Sequence, residues 1–600
     1  MMSTLVLRRA SRLLLLALLS SWCFGSFSTP VQASPSSLSS SVNEALVQAT
    51  KASGVPIELL KALAYLEGQF SNHHGQPSVD GGYGSMHLIK NKHGDTLDEA
   101  AQDLGVVVDR LKKDLPTNIR GGAAVLHDEA LQLSPTHTLP STLADWYGVV
   151  AEYSHSGTRT AALQYADALY GVLETGFRVE TESGEVVVLA PQHVTPNTGT
   201  AMTIHAVTTG TLPAGCKRDA AVDYSDAIDC ILNPAIFDCT PAAAVYPGCT
   251  YESSNRPHDL PVRYVAIHDT EGSLQETLQV FQNRYSGVSI HYVIDTDGTV
   301  YELLHDKDVG YHVGNYWYNQ RSIGIEHIGY DATGFLWYNA AQYLSSAKLT
   351  AYLLKKYQIP LDHEHIVGHG TVPSPHQTTN HVDPGPYWLW TYYFELIHRR
   401  GVEYPTGHAA EHVITLKPHS DERPLGGNGS ETPDNFAFFF LHTGPSTATP
   451  LIPQLEPGDI TDETSTIETN MSYYYLARCK DPAGTGDTMY AIWYGESDQF
   501  PASLQQTAHL AWLAVPPGAA TAGLGVPVAL VNFTGAGQGT ISVYGRPLSG
   551  SDVIGTATTG AIFVSGQTSV EDGTTNLWYE INYNHRQAWV PASSIIVMPD

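Results

Sequence analysis

Residues 263–270 read RYVAIHDT, an apolar run from Tyr264 to Ile267 that breaks into His268, Asp269 and Thr270. A short apolar run ending in polar residues fits a buried strand. A histidine at the end of such a strand can leave the sheet edge and point into a cleft. The segments that follow build a domain around it. LQETLQVFQNRY (274–285) has helical spacing, and SIHYVIDTDGTVYELL (289–304) is strand-like, with Asp297-Gly298 marking a hairpin. RSIGIEHIGY (321–330) reads as another strand and AAQYLSSAKLTAYLLKKYQI (340–359) as a long amphipathic helix. Strands and helices mixed in this order predict a central α/β domain with a mixed sheet over residues 256–400.

Two further segments carry side chains suited to the same cleft. His369 follows a short apolar run in HIVGHGTVP (365–373). Asp383 stands in HQTTNHVDPGPYW (376–388), where Pro-Gly-Pro predicts a turn. Two imidazoles and one carboxylate suit a catalytic zinc, because three protein ligands leave the fourth position to water. The helical zinc motif H-E-x-x-H is excluded. His365 and His369 are four apart, but Ile366 occupies the position of the required Glu, and Val367 follows His363-Glu364 where a histidine would be needed.

Taken in order, AIHDT, SIHYVIDTDGTVYELL, GYHVGN, RSIGIEH, VGHGTVP and HVDPGPYW resemble the zinc-dependent N-acetylmuramoyl-L-alanine amidases, relatives of phage lysozyme-type amidases and peptidoglycan-recognition proteins. The resemblance runs from Pro261 to Arg400. It implies that His268, His369 and Asp383 hold Zn²⁺ and that Glu326 is the catalytic carboxylate. Many relatives carry Lys two residues before the Asp ligand, where this chain has His381. The implied reaction is attack of activated water on the lactyl carbonyl joining N-acetylmuramic acid to L-Ala. Glu326 takes and returns the proton, and Zn²⁺ and His381 stabilise the oxyanion. A Glu in so apolar a strand is costly without a use, which supports that role. His312 in GYHVGN is placed on the cleft wall, and His291 and His327 are given structural roles. Tyr311, Asn315, Tyr316 and Trp317 are candidates for glycan or peptide contact, with packing as the alternative.

The rest of the chain frames this domain. At 600 residues it exceeds what one hydrophobic core can serve, so several domains are expected. Residues 1–33 combine Arg8, Arg9 and Arg12, an apolar stretch and Val31-Gln32-Ala33, the pattern of a secretory signal peptide. No other long apolar run occurs, so no membrane span is expected in the mature form. Lys and Arg total 31 against 60 Asp and Glu, and the formal charge of −29 argues against a nucleic-acid partner.

Residues 42–175 have helical periodicity and resemble the lysozyme-like fold of soluble lytic transglycosylases. Glu67 holds the acid position, while Gly68 replaces a Ser and His87 in YGSMHL replaces a Gln. One Glu of raised pKa can serve as acid and base, so glycan cleavage and mere glycan holding both stay open. Residues 190–255 form a linker whose Cys216, Cys230, Cys239 and Cys249 predict two disulfides, with three connectivities possible. Residues 401–434 read as a second linker, and 435–516 and 525–600 as a degenerate repeat of two small β-barrels. The ending WYEINYNHRQAWV (578–590) resembles bacterial Src-homology-3-like wall-binding modules, whose gain would come from tethering. The whole is expected to be a secreted, monomeric zinc amidase acting on peptidoglycan at the cell wall. A bifunctional hydrolase that also uses Glu67, and a non-catalytic peptidoglycan-binding protein, are the alternatives.

Overall fold

In the computed structural model the apolar run of RYVAIHDT is the strand Tyr264–Asp269, buried at every position. It is the second strand of a six-stranded sheet made of β1 (Ile228–Asp229), β2 (Tyr264–Asp269), β3 (Tyr292–Ile294), β4 (Val300–Glu302), β5 (Ser322–His327) and β6 (Ile366–Gly368). The strand order is β6-β2-β5-β3-β4-β1. β6, β2, β5 and β3 are parallel neighbours, and β3 and β4 form the antiparallel hairpin expected at Asp297-Gly298. The structure describes residues 41–599 except 182, 205–211, 219–220, 241–247, 332–337, 375–380, 418–437, 455–460, 496–506 and 533–538. The leader expected over 1–33 lies outside the described residues.

The sheet is covered on both faces, which is why its parallel strands are apolar throughout. On one face, Val265, Ile267, Ile323 and Ile325 share a core with Tyr343, Leu344, Trp388 and Trp390. That core runs on without a break into the N-terminal helices α1 (Val42–Ser53), α2 (Ile57–Gly68), α3 (Leu115–Leu133) and α4 (Arg159–Thr175). The bridge between them is α5 (Ala340–Tyr357), the long helix read from the sequence. On the other face, Tyr264, Ala266 and Val367 pack with Val313, Trp317 and Tyr318 and with Trp578 and Trp589 from the far C-terminus.

Both segments read as linkers contribute strands. Within 190–255, Ile228–Asp229 is β1, the sheet's edge, anchored where the Cys230 N–H donates to the Glu302 carbonyl at 2.9 Å. Disulfides Cys216–Cys230 and Cys239–Cys249 close loops on either side of Leu232 and settle the connectivity left open above. Within 401–434, Val413–Leu416 is a strand pairing with Ser472–Lys480 and Ala520–Ala522. Each of these strands is too short for a two-residue period to stand out from the turn residues around it. Residues 418–437 of that second linker lie outside the described residues.

The C-terminal part consists of a seven-stranded sheet running from Val413 to Ala522, then a five-stranded and a three-stranded sheet. In the ending that resembled a wall-binding module, Trp578, Tyr583 and Trp589 are buried. Trp589 is wholly buried, its ring 5.5 Å from that of Trp317 and edge-on to it, and its Nε1–H donates to Tyr318 Oη at 2.9 Å. Arg321 adds a two-pronged ion pair to Asp572 at 2.7 and 2.8 Å. A tryptophan whose ring and N–H are both satisfied by protein has no face left for a polymer.

Candidate metal centre

Strand register assembles the site. β2 and β5 pair with Glu326 opposite His268, so the two side chains leave the same face of adjacent strands. β6 pairs Gly368 with Ile267, and the His369 N–H donates to the Ile267 carbonyl at 3.0 Å, which places His369 beside His268. All three stand at the carboxyl ends of parallel strands, where α/β sheets build their ligand sites. Asp383 arrives from the loop beyond. Its carbonyl accepts the Gly370 N–H at 2.8 Å, and the Gly385 N–H closes a turn onto Val382 O at 2.9 Å. Gly385 has φ +70°, and a Cβ there would lie 2.8 Å from Asp331 Cβ, so this turn needs glycine.

The three expected ligands converge. His268 Nδ1 lies 3.1 Å from His369 Nδ1 and 3.2 Å from Asp383 Oδ2, and His369 Nδ1 lies 3.1 Å from Asp383 Oδ1. Zinc–nitrogen and zinc–oxygen bonds of about 2.0–2.1 Å give a tetrahedron with edges of about 3.3 Å, close to these separations. The proton positions agree. Ser322 Oγ donates to the Tyr318 carbonyl, so it accepts from His312 Nε2 at 3.1 Å. His312 Nδ1 is then an acceptor and takes the His268 Nε2–H at 3.0 Å. His268 Nδ1 is thereby left as a lone pair aimed at the Asp383 carboxylate, an arrangement of acceptors that a cation satisfies. Asp383 Oδ2 has no hydrogen-bond partner among the described residues. Burial opposes its ionisation, but the neighbouring His369 and His268 hold it well below the usual carboxylate range.

Glu326 and His381 flank this triad differently. Glu326 is buried, and its Oε2 is unpartnered among the described residues. Burial, then the charges of Asp383 and Asp269, push its pKa well above the ordinary value. A carboxyl so placed is suited to taking up and returning a proton. His381 stacks on His369 with ring centres 4.1 Å apart, and its Nδ1 is 3.6 Å from Asp383 Oδ1. Burial and the charge of His369 lower its pKa to about 4, so it faces the site as a neutral imidazole at neutral pH.

His312 is more than cleft wall: it orients His268. Its ring occupies the space above Gly324, where a Cβ would lie 2.6 Å from His312 Nδ1. His291 and His327 hold backbone, through Gly324 N–H and the His268 carbonyl respectively. Of the candidate substrate contacts, Tyr311 and Tyr316 both donate to the Glu252 carboxylate. Asn315 donates to the Pro373 and Gly545 carbonyls, and Trp317 packs on Trp589, so these two belong to the junction with the C-terminal sheets.

Two other clusters differ from this one. Asp223, Glu302 and His305 also converge, but Glu302 already accepts the N–H groups of Asp223 and Tyr224, and Asp223 accepts from His305 and Asp306. Glu67 is buried at the end of α2 and accepts from Tyr165 Oη at 2.5 Å, with His87 Nδ1 3.9 Å away. Burial raises its pKa, against the charge of His87. The cavity beside it measures about 30 Å³ and is lined by Tyr338, Ala340, Tyr343, Tyr387 and Tyr392. That is room for a water and not for a sugar ring.

The family model described as N-acetylmuramoyl-L-alanine amidase matches residues 258–386. N-acetylmuramoyl-L-alanine amidase A of Achromobacter lyticus is 30% identical over 154 residues, covering 23% of this chain and 84% of that protein. Among solved structures, the selenomethionine derivative of AmpD is 25% identical over 25% of this chain and 92% of its own, with a TM-score of 0.20. The amidase LysC of Clostridium intestinale is 22% identical over 24% of this chain and 87% of its own, with a TM-score of 0.19. The span 258–386 contains His268, Glu326, His369, His381 and Asp383, and the chain belongs to the N-acetylmuramoyl-L-alanine amidase family.

Proposed function

We propose that this chain is an exported, zinc-dependent amidase that cleaves the bond between N-acetylmuramic acid and the L-alanine of the peptidoglycan stem peptide. The observation that carries the reading is the convergence of His268, His369 and Asp383 at 3.1–3.2 Å beside Glu326, whose Oε2 is unpartnered among the described residues. Zinc held by those three side chains supplies a Lewis acid and a water acidic enough to ionise near neutral pH. The remaining roles belong to the chain. Glu326 takes up the proton released as the lactyl carbonyl is attacked and returns it to the departing alanine nitrogen. His381, half-exposed at the rim, donates to the carbonyl oxygen as a neutral imidazole, in place of the cation many relatives use. His312 holds His268 in the tautomer that presents Nδ1.

Export is supported by the leader pattern of residues 1–33 and by two disulfides, which persist in oxidising compartments. Among the described residues no helix is long and apolar enough to cross a membrane. The small cavity at Glu67, about 30 Å³, favours a single activity over a bifunctional hydrolase. Elemental analysis of the purified protein tests the metal: one zinc per chain is expected, with activity lost on chelation and restored by added zinc. Full activity in metal-free protein would refute the reading.

A further inference from the structure

The loop that carries His369 is held from outside the amidase sheet. Thr371 Oγ1 accepts the Gly368 N–H at 3.2 Å and donates to Glu468 Oε2 at 3.2 Å. The other oxygen of Glu468 lies 3.2 Å from His363 Nε2, and His363 Nδ1 donates to the Ile366 carbonyl at 2.7 Å. One carboxylate therefore reaches both ends of β6, the strand that delivers His369. Around it, the Gln587 N–H donates to the Thr371 carbonyl at 2.8 Å. Glu463, paired with Arg586 Nη2 at 2.6 Å, crowds Gly370, where a Cβ would lie 3.0 Å from Glu463 Oε1.

Glu463, Glu468, Arg586 and Gln587 are all buried; Glu468 comes from the seven-stranded C-terminal sheet, Arg586 and Gln587 from the five-stranded one, and Glu463 from a short 3-10 turn (Glu463–Ser465) just before the strand of Glu468. Burying a carboxylate is costly, and its neighbours give this one a defined task. Thr371 and His363 hold the two residues that bracket Val367, and Gly368 leads directly into the ligand. Removing a group that orients a metal ligand from behind typically costs about 10–100-fold in metal affinity.

We propose that Glu468 is a positioning residue for the metal centre, fixing through Thr371 and His363 the strand and loop that aim His369. The C-terminal sheets then complete the amidase instead of only tethering it. This rests on the metal reading above and adds to it a role for a part of the chain that the amidase match does not reach.

The test compares full-length Glu468→Leu and Glu468→Gln with Asp572→Asn. The last breaks the Arg321–Asp572 pair at the same junction without touching the loop. Zinc affinity is read by competition with a chromophoric chelator, and ligand geometry by the visible spectrum of the cobalt(II)-loaded protein. Glu468→Leu is expected to bind zinc about 10–100-fold more weakly with an altered cobalt spectrum. Glu468→Gln keeps an acceptor for Thr371 and recovers most of the affinity, and Asp572→Asn binds as the parent does. Parental affinity and spectrum in Glu468→Leu, or an equal loss in Asp572→Asn, overturns the proposal. Should Glu468→Leu fail to fold, Thr371→Val removes the same hydrogen bond and is read against the same two outcomes. A parent chain that binds no zinc would instead overturn the metal reading, and this proposal with it.

Discussion

On the proposed mechanism Glu326 supplies proton transfer and no ligand bond, so its removal would separate chemistry from metal binding. Glu326→Gln is expected to lower kcat by about 10²–10⁴-fold while zinc content stays at one per chain. A variant that lost its zinc as well would show Glu326 to be structural. The elements that bring His268, His369 and Asp383 together were legible in the sequence, as two apolar runs ending in histidine and an Asp directly before a Pro-Gly turn, whereas Glu326 was singled out through the family resemblance. His312 was legible only as a neighbour. Its task depends on a ring crossing above Gly324 to reach a residue 44 positions away, which no local period encodes. Glu67 was recognisable as an acid, but the tyrosines that line its cavity come from 338–392, far along the chain.

Single elements carry charge clusters that make their own predictions. The segment holding Asp80 and His87 packs against the end of α2 at Glu67, with His87 Nε2 3.0 Å from Asp80 Oδ1. Burial disfavours the His87 cation, yet Asp80 and Glu67 outweigh it and hold the pKa up at about 9. A histidine pKa raised on folding stabilises fully below its unfolded value of about 6.5, and that contribution is lost as pH rises through about 9. Urea midpoints should therefore fall between pH 6.5 and 9, and His87→Gln should flatten that decline. An undiminished slope in the variant would place the titrating group elsewhere. The longer elements, β2, β5 and α5, follow the hydrophobic spacing of their sequences. β1 and the strand Val413–Leu416 escaped because pairing, not pattern, makes a two- or four-residue strand.

At the scale of the molecule, the parts are joined through their cores. The N-terminal helices and the amidase sheet share one apolar cluster, and Trp578 and Trp589 complete another on the opposite face. Trp589→Ala should cost about 3–5 kcal/mol and lower the midpoint of a cooperative unfolding transition that includes the amidase fold. A C-terminal part melting separately, with the amidase transition unmoved, would contradict this. The sequence divided the chain into parts, but an aromatic strand that faces protein reads the same as one that faces a polymer. Zinc at His268, His369 and Asp383 and proton transfer by Glu326 are proposed to cleave the muramoyl–alanine bond. Mass spectrometry of peptidoglycan digested by the purified chain tests this most directly. Free stem peptides beginning with L-alanine and uncut glycan strands are expected, abolished by chelation and nearly so by Glu326→Gln. Undiminished peptide release in chelator, or products consisting only of glycan fragments with peptides still attached, would contradict this reading.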